Sequence, residues 1–379
     1  MSRMEQESLA VEPVEAVSPE IAAKGERIAA FLDRHGLSAL LLSRHENIAW
    51  ATAGKVEARV GLGSETASTS LLITGDGRKY YIAPNNEGPR LAAEEFAGLG
   101  YVPVLYPWQE SAGTTAQDLT GSGKIGSDSV KPDAVHVHLG VLRAPLLPAE
   151  IDRLRILGRD TAAVTSEIVE SLEPGITEYE MAGRTASALL ARGISPTVLL
   201  MGTDDRIRKY KHAVARRGVL DRYGMINLCA RRAGMVVSLT RFAHFDPMPA
   251  ELSESFAHTA RINAELLHAT RPGATASSLY AVAQKAYAAA CAPEELDLHH
   301  QGGPCGYVER EWLITPTGTQ TVALPQALAY NPSLRGAKVE DTVIVTDAGV
   351  EVLTSTPSLP VVETVIGGVT YQSAGALIR

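Results

Sequence analysis

Residues 338–354 read KVEDTVIVTDAGVEVLT, and this stretch decides the fold. Its β-branched residues predict one strand through DTVIV and a second through VEVLT, with a turn at Asp347–Gly349 between them. Working back towards the N-terminus, ALAYNP at 327–332 reads as another strand. Before it lie two helical stretches, SSLYAVAQKAYAAACA at 277–292 and SESFAHTARINAELLHAT at 253–270. The segment YGMINLCARRAGMVVSLTRFAHF at 223–245 reads as a hairpin, and PTVLLMG at 196–202 as an apolar strand. Two further helices precede these. EIDRLRILGRDTAAVTSEIVESL at 150–172 is long, amphipathic and stopped by Pro174-Gly175. TEYEMAGRTASALLARG at 177–193 opens with Thr177 and Glu180 at capping-box spacing.

The first third of the chain has a different rhythm. EIAAKGERIAAFLDRH at 20–35 places Ile21, Ile28, Ala29, Phe31 and Leu32 largely on one helical face, and Gly36 stops it. SALLLS (38–43) reads as a buried strand, and SLLITGDGRKYYIAP (70–84) as a hairpin around Asp76-Gly77. A helix through 90–100, a strand at YVPVLY (101–106) and strand ends at GKIGSD and VHVHLG complete an α/β pattern with a mixed sheet. GSGK at 121–124 fails as a phosphate loop. Asp118 stands where that motif needs its first glycine, and Ile125 where it needs Ser or Thr. The two prolines of LRAPLLPAE (142–150) mark a boundary. The expected organisation is a flexible leader over 1–18, an α/β domain over 19–145 and a second domain over 146–379.

Composition excludes several classes. A net charge of −8 without a basic block disfavours a nucleic-acid partner. No run of about 18 apolar residues occurs, so no membrane span is expected. The N-terminus is acidic and lacks an apolar stretch, unlike a secretory signal, which points to a cytoplasmic protein. Cys229, Cys291 and Cys305 are far apart and form no CxxC pair, against a disulfide framework or a Cys-rich zinc site. HExxH, GxSxG and a Cys/His arrangement with recognisable context are all absent.

Three local patterns carry a family resemblance. KVEDTVIVTDAGVEVLT resembles "RIEDTVLVTEDGxExLT", HHQGG at 299–303 resembles "GHG-x-G", and SLTRF at 238–242 resembles the "SD-x-TR" that ends a hairpin. In this order they are similar to the creatinase/methionine-aminopeptidase/prolidase superfamily. That resemblance implies a creatinase-type N-terminal α/β domain followed by a pita-bread catalytic domain, a curved antiparallel sheet covered by helices. It also implies a homodimer, in which residues from His45 to Arg59 of one subunit would reach its neighbour's site.

Metal-dependent members of that superfamily hold two ions with Asp, Asp, His, Glu and Glu. Carried over, these positions fall on Asn227, Ser238, His300, Asn331 and Glu340. Three of the four carboxylates are neutral here, so no metal or other cofactor is expected: hard divalent ions need anionic oxygens. The pattern is closer to metal-independent, creatinase-like members. GYVEREW at 306–312 then places Arg310 where a substrate carboxylate is held, LTR at 239–241 puts Thr240 where a second active-site Glu stands, and Glu340 matches a catalytic Glu. His212, in KYKHAVA, falls where the superfamily has its substrate-side histidine.

The expected catalytic group is therefore His212, His300 and Glu340. His212 would act as general base and then acid, since an imidazole exchanges protons near neutral pH. Arg310, Asn227, Ser238, Thr240, His244, Asn331 and Tyr307 are the expected substrate-binding residues, with His299 as a packing or supporting residue. The function implied is metal-independent hydrolysis of a C–N bond in a small amino-acid-like, amide, ureido or guanidino compound, one expected to bear a carboxylate. A metal-dependent Xaa-Pro aminopeptidase and a catalytically inactive peptide-binding member are the alternatives.

Overall fold

The computed structural model describes residues 18–379, so the leader expected over 1–18 lies outside the described residues save for Ser18. Ser18 caps the first helix, its hydroxyl accepting from the Ile21 N–H at 3.3 Å. A helix start leaves such donors unmet, and a capping side chain satisfies one. The described chain divides into two compact units between Leu142 and Arg143.

The first unit comprises α1 (Pro19–His35), β1 (Ala39–Arg44), α2 (His45–Ala51), β2 (Thr66–Thr74), β3 (Lys79–Pro84), α3 (Gly88–Arg90), β4 (Val102–Tyr106), α4 (Thr115–Thr120), β5 (Ile125–Ser127) and β6 (Val135–His136). Its sheet has the order β4-β3-β2-β1-β5-β6. The β1–β2 and β2–β3 pairs are antiparallel and the outer pairs parallel, the mixed sheet expected from the sequence. The helix expected over 90–100 is shorter: α3 runs into a π-turn over Leu91–Glu95 and stops, and Gly98 and Gly100 follow with φ of 71° and 72°. α2 was not legible, because every residue of HENIAWA except Glu46 is buried and no polar face marks the helical period.

The second unit comprises α5 (Pro148–Glu170), α6 (Glu178–Leu190), β7 (Ser195–Thr203), α7 (Asp205–Lys209), β8 (Tyr223–Arg232), β9 (Met235–His244), α8 (Ala250–Ala269), α9 (Ala276–Ala289), β10 (Gly302–Cys305), β11 (Gln326–Tyr330), β12 (Ser333–Leu334), β13 (Ala337–Lys338), β14 (Asp341–Thr346), β15 (Gly349–Val352), β16 (Val361–Ile366), β17 (Val369–Ala374) and β18 (Ala376–Ile378). One four-stranded sheet runs β18-β9-β8-β7, antiparallel except where β18 joins β9. A second runs β10-β11-β14-β15, antiparallel throughout. α5 and α6 cover the first sheet. α8 and α9 pack Leu266, Leu279 and Tyr287 into a core with Leu328 and Val343 of the second. The Thr177/Glu180 capping box forms as expected at the start of α6. The β16–β17 hairpin was not anticipated; Val361, Val365 and Val369 are exposed on it, while Ile366 and Tyr371 are buried in the core that α8 and α9 form with the second sheet.

The two sheets meet where β9 passes the start of β14. The Thr240 N–H donates to the Glu340 carbonyl at 3.0 Å, and the Ser238 N–H to Thr342 Oγ1 at 2.7 Å. Arg241, only 1% exposed, locks this junction by donating to Asp341 Oδ1 and to the Thr354 carbonyl, each at 2.6 Å. The Arg of SLTRF and the Asp of KVEDT are therefore structural, and they fix the residues beside them. α5 lies tight against the bend that follows β15: a Cβ on Gly158 would meet the Leu353 carbonyl oxygen at 2.5 Å. Gly158→Ala should lower stability by about 1–3 kcal/mol, the usual scale of overpacking, as read by chemical denaturation; an unchanged midpoint would contradict the contact. Among the described residues, no helix is long and apolar enough to cross a membrane.

Candidate active site

The register of β8 against β9 sets out the site as rungs. Asn227 faces Thr240 and Cys229 faces Ser238, while Met225 faces Phe242 and Tyr223 faces His244 further along the ladder. Side chains two residues apart share a face of a strand. Asn227 and Thr240 thus point together at Glu340, which the sheet junction brings over them.

Four donors converge on the Glu340 carboxylate. Oε2 accepts from Asn227 Nδ2 at 2.7 Å and Thr240 Oγ1 at 2.9 Å, and it lies 3.1 Å from Lys338 Nζ. Oε1 accepts from Arg310 Nη2 at 2.8 Å. Lys338 also donates to Asn227 Oδ1 at 3.1 Å, and Arg310 Nη1 to Ser238 Oγ at 3.1 Å. Glu340 is 2% exposed. Burial alone would raise its carboxyl, but Lys338 and Arg310 outweigh it and hold it down at about 2. The group is an ionised carboxylate gripped by two cations.

Next to it stand three imidazoles. His212 comes from the loop after α7, and His299 and His300 from the segment before β10. The Nε2 atoms of His212 and His299 are 3.0 Å apart, so one donates and the other accepts. Burial lowers the His299 ring to about 2, with Lys338 and His300 adding to the effect. Burial and then Lys338 also lower His212, partly offset by Glu340. Any proton the pair gains therefore resides on His212. His300 stacks on His299 with ring centroids 4.4 Å apart, and its Nδ1 accepts from the Gly302 N–H at 3.2 Å. The neutral His300 ring thus carries its proton on Nε2, as a donor. Gly302 has φ 83°, and a Cβ there would meet the Ala329 carbonyl oxygen at 2.2 Å, so the glycine lets this turn form.

Several polar atoms at these positions are buried with no partner among the described residues: Arg310 Nε, Asn331 Oδ1 and His299 Nδ1. Unmet groups of this kind call for water or a polar ligand. The other expected residues lie apart. His244 is two rungs from Asn227, with Nδ1 2.9 Å from the Asp246 carbonyl oxygen. The Tyr307 hydroxyl is donated to Glu150 of α5 at 2.6 Å and also accepts from Arg153 at 3.1 Å. Two residues were missed. Lys338 stands inside the quoted motif, and the signal was a lysine in a run otherwise fit for burial. His299 was expected only to support, yet it is the direct partner of His212.

The residues do not fit a pair of hard metal ions. Asn227, Ser238 and Asn331 offer no negative charge, and the one carboxylate is already shared by Lys338 and Arg310. Among the described residues, the one group of three His, Cys, Asp or Glu able to surround an ion is His212, His299 and His300, with ligand atoms within 4.8 Å of one another. It contains no carboxylate, and in the neutral His300 ring Nε2 holds a proton while Nδ1 receives Gly302.

This architecture recurs in solved structures. The dipeptidase PepE from Mycobacterium ulcerans superposes with a TM-score of 0.73 at 19% identity, covering 89% of this chain and 96% of that one. An Xaa-Pro dipeptidase from Bacillus anthracis gives 0.74 at 17%, covering 95% and 100%. The N-terminal domain of the FACT complex subunit SPT16 from chickpea gives 0.66 at 14%, covering 89% and 97%. The fold is thus the pita-bread type with its N-terminal domain. Residues 152–347 match the model of metallopeptidase family M24, and the chain belongs to that family. A probable dipeptidase PepE of Mycobacterium tuberculosis and its Mycobacterium bovis counterpart are 28% identical over 215 residues. Those matches cover 53% of this chain and span about half, 56%, of the length of the relatives.

Proposed function

We propose that this family M24 protein hydrolyses a C–N bond of a small amino-acid-derived substrate, an amide, ureido or guanidino compound, without a metal ion. The observation that carries the reading is the placement of Lys338 and Arg310 on either side of Glu340, where metal-dependent relatives need vacant carboxylates. The site keeps the parts that hydrolysis needs. His212 takes a proton from water, whose oxygen bonds to the substrate carbon. With an amide or ureido substrate, His300 Nε2–H and Lys338 are the donors available to the negative charge that develops on the carbonyl oxygen. The C–N electrons then return to nitrogen, which receives the proton from His212, leaving an amine together with a carboxylic acid from an amide, a carbamic acid from a ureido compound or a urea from a guanidino compound. Glu340 holds the two cations in position throughout. The unmet Asn331 Oδ1 and Arg310 Nε supply an acceptor and a donor for the polar ends of the substrate.

A metal-dependent peptidase is the second reading, favoured by the dipeptidase and Xaa-Pro dipeptidase relatives. A panel of dipeptides, N-acyl amino acids and ureido acids, assayed before and after exhaustive chelation, separates the two. The proposal expects turnover that survives chelation; activity lost to the chelator and restored by a divalent ion would overturn it. The pH profile gives a second check. His212 works unprotonated and its ring is shifted below 6.5. kcat/KM should be flat at neutral pH and fall on the acid side, with its midpoint below 6.5. A midpoint above 7 would contradict the assignment.

A further inference from the structure

A cavity of about 220 Å³ lies beside the Glu340 cluster and shares Lys338 with it. Its wall carries Arg208, Lys209, Lys211, Arg335 and Lys338 against a single carboxylate, Glu295. Such a concentration stands out in a chain of net charge −8. Lys211 is paired with Glu295 and Lys338 with Glu340. Arg208 meets no acceptor among the described residues, and Arg335 reaches only the Cys291 carbonyl, at 3.3 Å. Met225 and Phe242 also line the cavity, and they form the rung next to Asn227 and Thr240 on the same sheet face. Two residues along a strand span roughly 7 Å, the distance from a scissile amide carbon to an acid group four or five bonds away.

We propose that this cavity is an anion subsite, so that the substrate carries a carboxylate or phosphate some four or five bonds from the bond that is cut. This rests on the hydrolase reading for its purpose but not for its binding chemistry. A group of cations beside a substrate site attracts anions and selects against neutral analogues. Arg208 and Arg335 supply planar forks suited to two-pronged contact with either oxyanion, while Lys338 links the subsite to Glu340.

The test is calorimetric titration of the full chain with succinate and, separately, with inorganic phosphate, in the wild type and in the double variant R208A/R335A. Both arginines are exposed, and circular dichroism and thermal unfolding check that the variant folds. One equivalent of one anion should bind, and the double variant should bind it about tenfold more weakly. Preference for succinate identifies a carboxylate-bearing substrate, and preference for phosphate a phosphoryl-bearing one. No saturable binding of either anion, or equal affinity in the folded double variant, overturns the subsite. Binding is read without turnover. Capture of an anion with no hydrolysis of any acidic amide supports the subsite and counts against the hydrolase reading. Hydrolysis of neutral amides alongside absent anion binding does the reverse.

Discussion

Replacing Glu340 by Gln should destabilise the second unit by about 3–5 kcal/mol, the usual consequence of leaving buried charge uncompensated. Lys338 and Arg310 would then share a neutral amide, while Asn227 Nδ2 and Thr240 Oγ1 would still point donors at it. Glutamine keeps the shape but turns half of the acceptor into an NH₂, so at least one donor faces another donor. For a unit of this size the loss corresponds to a fall in melting temperature of roughly 10 °C. The variant should also lose part of the acid sensitivity of the wild type. The Glu340 carboxyl is held at about 2 in the folded chain against an ordinary 4.5. Its contribution is therefore complete above pH 4.5 and is lost as pH falls from there through about 2, a change of roughly 3 kcal/mol. A Glu340→Gln chain as stable as wild type at neutral pH would mean that the carboxylate is not gripped by both cations.

His212→Ala should leave the fold intact and cut turnover by about 10²–10⁴-fold, the range associated with general acid–base catalysis. The side chain is exposed and packs into no core cluster, so thermal unfolding should be close to wild type. His299 cannot substitute for it, because burial and its charged neighbours keep that ring neutral throughout the physiological range. The measurement is kcat on any substrate found in the panel, with melting temperature as control. Full retained activity in a folded variant would remove His212 from the mechanism.

The sequence carried much of this. The β8–β9 hairpin, the strand pair in KVEDTVIVTDAGVEVLT and the capping box at Thr177 each declare themselves through local pattern. His212, His300 and Glu340 were legible only because their motifs stand in a recognisable order. Lys338 was not, since a lysine in a strand ordinarily reads as solvated. Its burial follows from Glu340 and Asn227, residues placed opposite it by the junction of two sheets. Tyr307 misled for the complementary reason. It is near the histidine motif in sequence, but α5 brings Glu150 and Arg153 to its hydroxyl. α2 and the β16–β17 hairpin were missed because one is buried nearly all round and the other has no clean alternation, VVETVI exposing Val361 and Val365 on the same face as Glu363.

The account turns on two side-chain cations standing where a metal pair would need carboxylates. Metal content per chain of the purified, untagged protein, measured by elemental mass spectrometry, tests this most directly. Less than about a tenth of an equivalent of manganese, iron, cobalt or zinc is predicted from the ligand set. One or two equivalents of such an ion would contradict it, and the metal-dependent peptidase reading would take its place.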